Sequence, residues 1–264
     1  MIRDDPALVV GPSATPARHD GLVLARDLTS LCEEIERRLR EVGDPERAVQ
    51  SKAYLKSDLV HLGVTVPAMR HVTLSFMADH GDLDHDDLMA LTLELWSGPV
   101  FDPRRVGLEL LVQTRAAGRV TDLPSLEGML RAASTWALVD ELAIQVVGSI
   151  IERYPVASTT LDRWSSDEDF WIRRSALLAL LEPIRAGAGD FDRFSTYADQ
   201  MLDEREFFIR KAIGWVLREA AKKRPTLVYE WLAPRAARAS GVTMREALKH
   251  LSEEQRSSLL ARRG

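Results

Sequence analysis

The segment Glu206-Phe-Phe-Ile-Arg210-Lys-Ala-Ile-Gly-Trp215-Val-Leu-Arg218-Glu opens on aromatic residues, reaches an arginine and continues as an apolar helical run. The same shape recurs upstream in Phe170-Trp-Ile-Arg-Arg174, Trp136-Ala-Leu-Val-Asp140, Phe101-Asp-Pro-Arg-Arg105 and Val66-Pro-Ala-Met-Arg70, and downstream in Val242-Thr-Met-Arg245. The anchor positions are 70, 105, 140, 174, 210 and 245, so successive units lie 35, 35, 34, 36 and 35 residues apart. A unit of this length cannot bury its apolar face alone and must stack on its neighbours.

The rest of the chain agrees. Leu28, Leu31, Ile35 and Leu39 recur at helical spacing, with charged residues between them. Prolines at 45, 67, 99, 103, 124, 155, 183, 225 and 234 fall between the periodic segments, no asparagine occurs, and no long run alternates apolar with polar. The expected fold is all-α: a single α-solenoid of about six HEAT-like helical hairpins with a concave inner face. The period approaches the tetratricopeptide length, but that repeat's Trp, Gly, Tyr and Pro positions are not filled in order. Residues 1–20, with Pro6, Gly11 and Pro16, read as a flexible tail, leaving 21–264 as the repeat domain.

Composition narrows the function. The 264 residues are 45% apolar and 28% charged, a balance that suits a packed core and excludes a mostly disordered chain. A single cysteine, Cys32, rules out an internal disulfide framework or a cysteine-rich zinc site, and its amphipathic helix makes it a packing residue. No apolar run is long enough to span a membrane, and the N-terminus lacks a signal-peptide pattern, so a cytoplasmic, nucleoid-associated protein is expected. No GxGxxG or phosphate-loop motif occurs. His80, Asp82, Asp84, His85, Asp86 and Asp87 could form a metal cluster on paper but read as a solvated loop between helices. The net charge of −5 hides a gradient: residues 205–249 carry eleven Lys or Arg against four Glu, a balance of +7. Charge clustered on one face, not the total, governs binding to nucleic acid.

Five of the six anchors are arginine and one is Asp140. The arginines can be structural, pairing with acids in a neighbouring repeat. Asp140 can be such a partner, or a reactive acid in a basic groove. Trp136 shares a helical face with Asp140, and Trp171 with Arg174; Lys211, Trp215, Arg218 and Lys222 form one stripe at i, i+4, i+7 and i+11. The tryptophans can be core residues and the cations a solvated face. In register on consecutive repeats, they can also form a groove in which cations hold phosphates and indoles pack on sugar or base.

Four segments carry a family resemblance. Ser51-Lys-Ala-Tyr54-Leu-Lys56-Ser-Asp-Leu-Val-His-Leu-Gly63-Val-Thr-Val-Pro67-Ala-Met-Arg70 resembles the opening motif of the AlkD-like DNA alkylation repair family, and the segment from Glu206 to Glu219 its most distinctive one. Trp136-x-x-x-Asp140 and Phe170-Trp171-Ile-Arg173-Arg174 match two more in the same order, and the likeness runs from about residue 28 to near 250. The resemblance implies a monofunctional DNA glycosylase that removes positively charged N3- and N7-alkylated purines, such as 3-methyladenine and 7-methylguanine, from duplex DNA without flipping the base. On that likeness Asp140 is the catalytic carboxylate, and Trp136 and Trp215 pack on the deoxyribose. Arg174 holds the adjacent backbone, while Tyr54, Lys56, Arg173, Lys211, Arg218 and Lys222 lie along the DNA.

The chemistry is coherent in its own right. A cationic purine is already a good leaving group, so neither a general acid nor a metal or organic cofactor is called for. What remains is the oxocarbenium-like sugar, which a carboxylate stabilises electrostatically and two indole faces stabilise by cation–π attraction. The expected partner is double-stranded DNA bearing alkylated purines, bound by a monomer. The alternatives are a non-catalytic HEAT-repeat protein that binds damaged or branched DNA and, more distantly, a protein-binding scaffold.

Overall fold

The computed structural model describes residues 27–263, so the expected tail at 1–20 lies outside the described residues. The chain winds through α1 (Leu28–Glu41), α2 (Pro45–Leu55), α3 (Val66–Asp79), α4 (His85–Ser97), α5 (Phe101–Gln113), α6 (Leu123–Arg131) and α7 (Trp136–Glu141). It continues through α8 (Gly148–Arg153), α9 (Ser158–Trp164), α10 (Phe170–Leu178), α11 (Leu181–Arg185) and α12 (Phe191–Gln200). The last helices are α13 (Phe207–Ala221), α14 (Pro225–Leu232), α15 (Gly241–Ala247) and α16 (Glu253–Ala261). The architecture is all-helical, as expected. Among the described residues the extended pairing is one parallel bridge, Val60 to Val100.

Each of the six recurring segments begins a helix: α3, α5, α7, α10, α13 and α15. The reason is local. An extended capping residue precedes each, and in four of them its side chain accepts a backbone N–H of the first turn: Thr65 from Ala68, Asp169 from Trp171, Glu206 from Phe208 and Ser240 from Thr243. The paired helices between them (α4, α6, α9, α12 and α14) complete the hairpins. The acidic run at 82–87 needs a correction: it is not all loop. Asp84 caps α4 and forms a capping box with Asp87, so these carboxylates satisfy the helix's first N–H groups and its dipole. His80 faces Glu34 at 3.0 Å and His85 faces Asp122 at 3.0 Å, so the two imidazoles serve separate hydrogen bonds. Among the described residues, no group of three His, Cys, Asp or Glu is placed to hold a metal ion, and no helix is long and apolar enough to cross a membrane.

Packing follows the repeat. One apolar cluster joins α1, α3, α4 and α5 through Ile35, Leu39, Phe76, Leu91 and Leu110, and a longer one runs from Leu59 through Trp164 and Phe194 to Leu259. Ion pairs stitch one repeat to the next: Arg131 to Asp167 (2.6 Å), Arg185 to Glu219 (3.1 Å), Lys211 to Glu246 (2.6 Å), Arg235 to Asp199 (2.8 Å) and Arg238 to Asp203 (2.7 Å). The partners lie 34 to 36 residues apart, one repeat period. Helices α13 and α15 cross so closely at Gly214 that a Cβ there would sit 2.8 Å from Glu246 Cβ and 2.9 Å from Thr243 O. The half-buried Cys32 is packing, as expected: burial, then Glu94 and Glu36, push its thiol up to about 11, which keeps it protonated and unreactive.

Candidate active site

Helix α7 is held at its N-terminus by its neighbours. Arg104 donates to the Ala132 carbonyl at 2.6 Å, and Trp96 donates to Met129 O at 3.0 Å, which fixes the chain entering the helix. Ser134 takes a left-handed backbone (φ 58°), uncommon for a residue with a side chain, and turns the chain into the buried Thr135. Thr135 does not cap its own helix. Its hydroxyl donates to Leu55 O at 3.3 Å, tying the end of α2 to the start of α7. That tie brings Tyr54 edge-on to Trp136, with centroids 5.8 Å apart and planes at 77°. Directly after α7, residues Leu142–Val147 form a π-helical stretch, a feature frequent at functional sites.

These elements enclose a cleft of about 700 Å³. Trp136, Ala137, Asp140, Ile144 and Gln145 form one wall, with Tyr54 and Trp215 on others. Asp140 is 9% exposed and Arg174 3%. Arg174 grips the carboxylate with two parallel hydrogen bonds, Nε to Oδ1 at 2.7 Å and Nη2 to Oδ2 at 2.8 Å. Its third nitrogen, Nη1, donates to the carbonyl of Phe208. The carboxylate is thus locked in one orientation at the floor of an aromatic-walled cleft. A bidentate, charge-assisted pair is among the strongest ways to fix an acid.

The expected site residues divide three ways. Asp140, Trp136, Trp215 and Tyr54 come together around the cleft. Arg174 lies next to them, buried, with its nitrogens hydrogen-bonded to the Asp140 carboxylate and the Phe208 carbonyl. Arg173 is also engaged, with Glu204 at 2.8 Å and the carbonyls of Asp167 and Glu168. Lys56 ends α2 with a left-handed backbone and an exposed side chain, beside the cleft and not in its lining. Two arginines of the column pair with acids of the following repeat, Arg70 with Glu109 and Arg105 with Glu141.

The basic stripe is anchored from beneath. Lys211, Arg218 and Lys249 converge on buried Glu246, while Arg185, Arg218 and Lys222 converge on buried Glu219. Burial pushes the Glu246 carboxyl up, but Lys211, Lys249 and Arg218 outweigh it and hold it at about 2. Burial likewise opposes ionisation of Glu219, and its cations again win. Because the carboxylates are covered and the Lys211 and Lys222 side chains are 41% and 43% exposed, the face turned to solvent is cationic. Trp171 does not join the cleft. One step out of register with Trp136, it packs against Phe170 and Phe208, with centroids at 4.4 and 4.8 Å. Sequence reasoning also missed Arg47, Ser51, Gln145, Glu182 and Arg185, which line the cleft. Arg47 and Ser51 could have been found, since with Tyr54 they fall at i, i+4 and i+7 of one helix.

Comparison with known proteins agrees with this fold. The family model described as DNA alkylation repair enzyme matches residues 35–251. The chain therefore belongs to the DNA alkylation repair enzyme family. A solved structure described as a predicted DNA alkylation repair enzyme from Enterococcus faecalis is 23% identical, with a TM-score of 0.72, covering 80% of this chain and 97% of that one. AlkD2 from Streptococcus mutans is 15% identical, with a TM-score of 0.61, covering 85% of this chain and 99% of its own. Smu.31 from Streptococcus mutans UA159 is 16% identical at a TM-score of 0.57, covering 84% and 100%. At these identities the likeness establishes a shared fold. A search of curated proteins finds no significant match.

Proposed function

We propose that the protein is a DNA glycosylase that hydrolyses the N-glycosidic bond of cationic N3- or N7-alkylated purines in duplex DNA, without base flipping, as the first step of base excision repair. One observation carries the reading: a carboxylate, Asp140, is clamped by Arg174 at the floor of a cleft walled by Trp136, Tyr54 and Trp215. As the C1′–N bond breaks, its electron pair neutralises the charge on the alkylated base, so no proton need be delivered to the leaving group. The positive charge that develops on the sugar meets the carboxylate and the aromatic faces. Water then adds at C1′, oriented by Asp140, and its proton passes to solvent. A cleft open to an intact duplex suits a reaction in which the base stays outside the protein.

Release of 3-methyladenine and 7-methylguanine from methylated duplex DNA, measured in EDTA for the wild type and Asp140→Asn, tests this reading. Release by the wild type and not by the variant supports it; equal release by both removes Asp140 from the chemistry. A second reading, a non-catalytic binder of damaged DNA, is favoured by the ion pair itself, since Arg174 occupies both oxygens of Asp140. Salt-sensitive DNA binding with no base release by either protein would establish it.

A further inference from the structure

A water that adds at C1′ must aim a lone pair at the carbon and direct two O–H bonds elsewhere. Asp140 gives it one acceptor, on a carboxylate already gripped through both oxygens by Arg174. The second O–H bond needs an acceptor of its own. Along the helical run that carries Asp140, two other residues with acceptor side chains line the cleft, Glu141 and Gln145. Glu141 is taken by Arg105. Gln145 is half-buried, and among the described residues its amide has no hydrogen-bond partner. An amide with no internal partner is free to turn to a molecule in the cleft.

The π-helical stretch Leu142–Val147 accounts for the place of Gln145 in the wall. On a regular α-helix, Asp140 and Gln145 would lie about 140° apart, on different faces. Here the ladder closes over one residue more: the Gly148 N–H donates to Ala143 O, five positions back. On such wider turns each residue advances less around the axis, so Gln145 comes round towards the face of Asp140. Trp136, Asp140, Ile144 and Gln145 therefore share one cleft. The stretch is packed against α10, the helix that carries Arg174. A Cβ at Gly148 would sit 2.7 Å from the carbonyl oxygen of Ala179, at the end of that helix, so glycine permits the close approach.

We propose that Gln145 is a water-positioning residue, whose amide carbonyl accepts one O–H of the nucleophilic water while Asp140 accepts the other. The inference rests on the proposed glycosylase reaction. As the C1′–N bond breaks, its electron pair leaves with the base. The water oxygen bonds to C1′, and the proton it sheds passes through Asp140 to solvent. Gln145 takes no proton; with both O–H bonds held, the lone pair is fixed on the carbon.

Methanol separates this role from packing, because it carries one O–H and needs one acceptor. The test is single-turnover reaction of a duplex holding one 7-methylguanine in a fixed water–methanol mixture, followed by alkali. A hydrolysed site has a free aldehyde and is cut by alkali; a site that captured methanol is a methyl glycoside and survives. Gln145→Ala loses one hydrogen bond to water and none to methanol, so the ratio of methyl glycoside to hydrolysed site should rise about 2- to 10-fold. Gln145→Glu, which keeps an acceptor at the same reach, should hold the wild-type ratio. Thermal melting confirms that each variant is folded. The same ratio in Gln145→Ala as in the wild type, or an equal rise in both variants, would overturn the water site while leaving the glycosylase reaction intact. No base release by the wild type would remove that reaction, and the water site with it.

Discussion

Two residues concentrate the proposed chemistry. Asp140 and Arg174 form a nearly buried bidentate pair, so each depends on the other for hydrogen bonds and charge balance. Removing one partner of such a pair leaves an uncompensated buried charge, which costs about 3–5 kcal/mol. Arg174→Ala should therefore lose stability of that order in a denaturant melt; a loss below about 1 kcal/mol would mean that the pair is looser than its geometry. Asp140→Asn keeps one acceptor for Arg174 and should cost less, about 1–3 kcal/mol, so its activity is to be measured well below its melting temperature. Tyr54 offers the contrast. At 73% exposed it does little for the fold, and Tyr54→Ala should change stability by no more than about 0.5 kcal/mol. If its ring faces the cationic sugar beside Trp136, the same variant should slow 7-methylguanine release by about 2- to 30-fold, the equivalent of a cation–π contact of about 0.5–2 kcal/mol. An unchanged rate would assign the ring to packing alone.

At the scale of elements, helix starts were the most legible feature. The segments beginning at Val66, Phe101, Trp136, Phe170 and Phe207 all open helices at those residues, because aromatic or apolar first turns follow extended capping residues. What the sequence hid was the partner of each side chain. Arg174 lies in the arginine column like Arg105, yet only the stacking of α10 on α7 turns it onto Asp140 in place of solvent. Trp171 differs from Trp136 by one position relative to its anchor, about 100° around a helix, and that rotation sends it into the Phe170–Phe208 cluster. The acidic run at 82–87 misled because carboxylates that cap a helix resemble those of a loop. Gly214, unremarked in its motif, proves to be where α13 touches α15. Gly214→Ala must push Glu246 and Thr243 apart, and should destabilise the protein by about 1–3 kcal/mol in thermal or urea unfolding. No loss would show that the two helices can separate freely, and that Glu246 does not depend on the close crossing to reach Lys211 and Arg218.

The whole molecule is a stack of repeats joined by carboxylates that serve cations on the next turn of the solenoid. Arg163, Arg131 and Trp164 overcome burial to hold Glu127 at about 2, and Arg131 does the same for Asp167, also at about 2; Glu246 lies there under its own cations. Their folded values lie below ordinary carboxylate values of 4.5 and 3.8, so their contribution to stability is complete above about pH 4.5 and is lost as pH falls towards 2. The melting temperature should drop steeply across that window, and Glu246→Gln should lessen the drop; a flat profile down to pH 2 would contradict this view of the stack. The same organisation explains how an acidic chain can offer a cationic face to DNA. Its carboxylates at Glu219 and Glu246 are covered, and the ammonium and guanidinium groups above them face outward. In the proposed reaction a fixed carboxylate and aromatic walls stabilise a cationic sugar, while the charge on the base does the work of a general acid. This is tested most directly by single-turnover release from two duplexes of identical sequence, one carrying 7-methylguanine and the other the neutral lesion hypoxanthine. The wild type should release the cationic base and leave the neutral one in place, and Asp140→Asn should slow that release by about 10²–10³-fold. Comparable release of hypoxanthine would mean that the charge on the base is not what makes it leave, and an undiminished rate in Asp140→Asn would take the carboxylate out of the reaction.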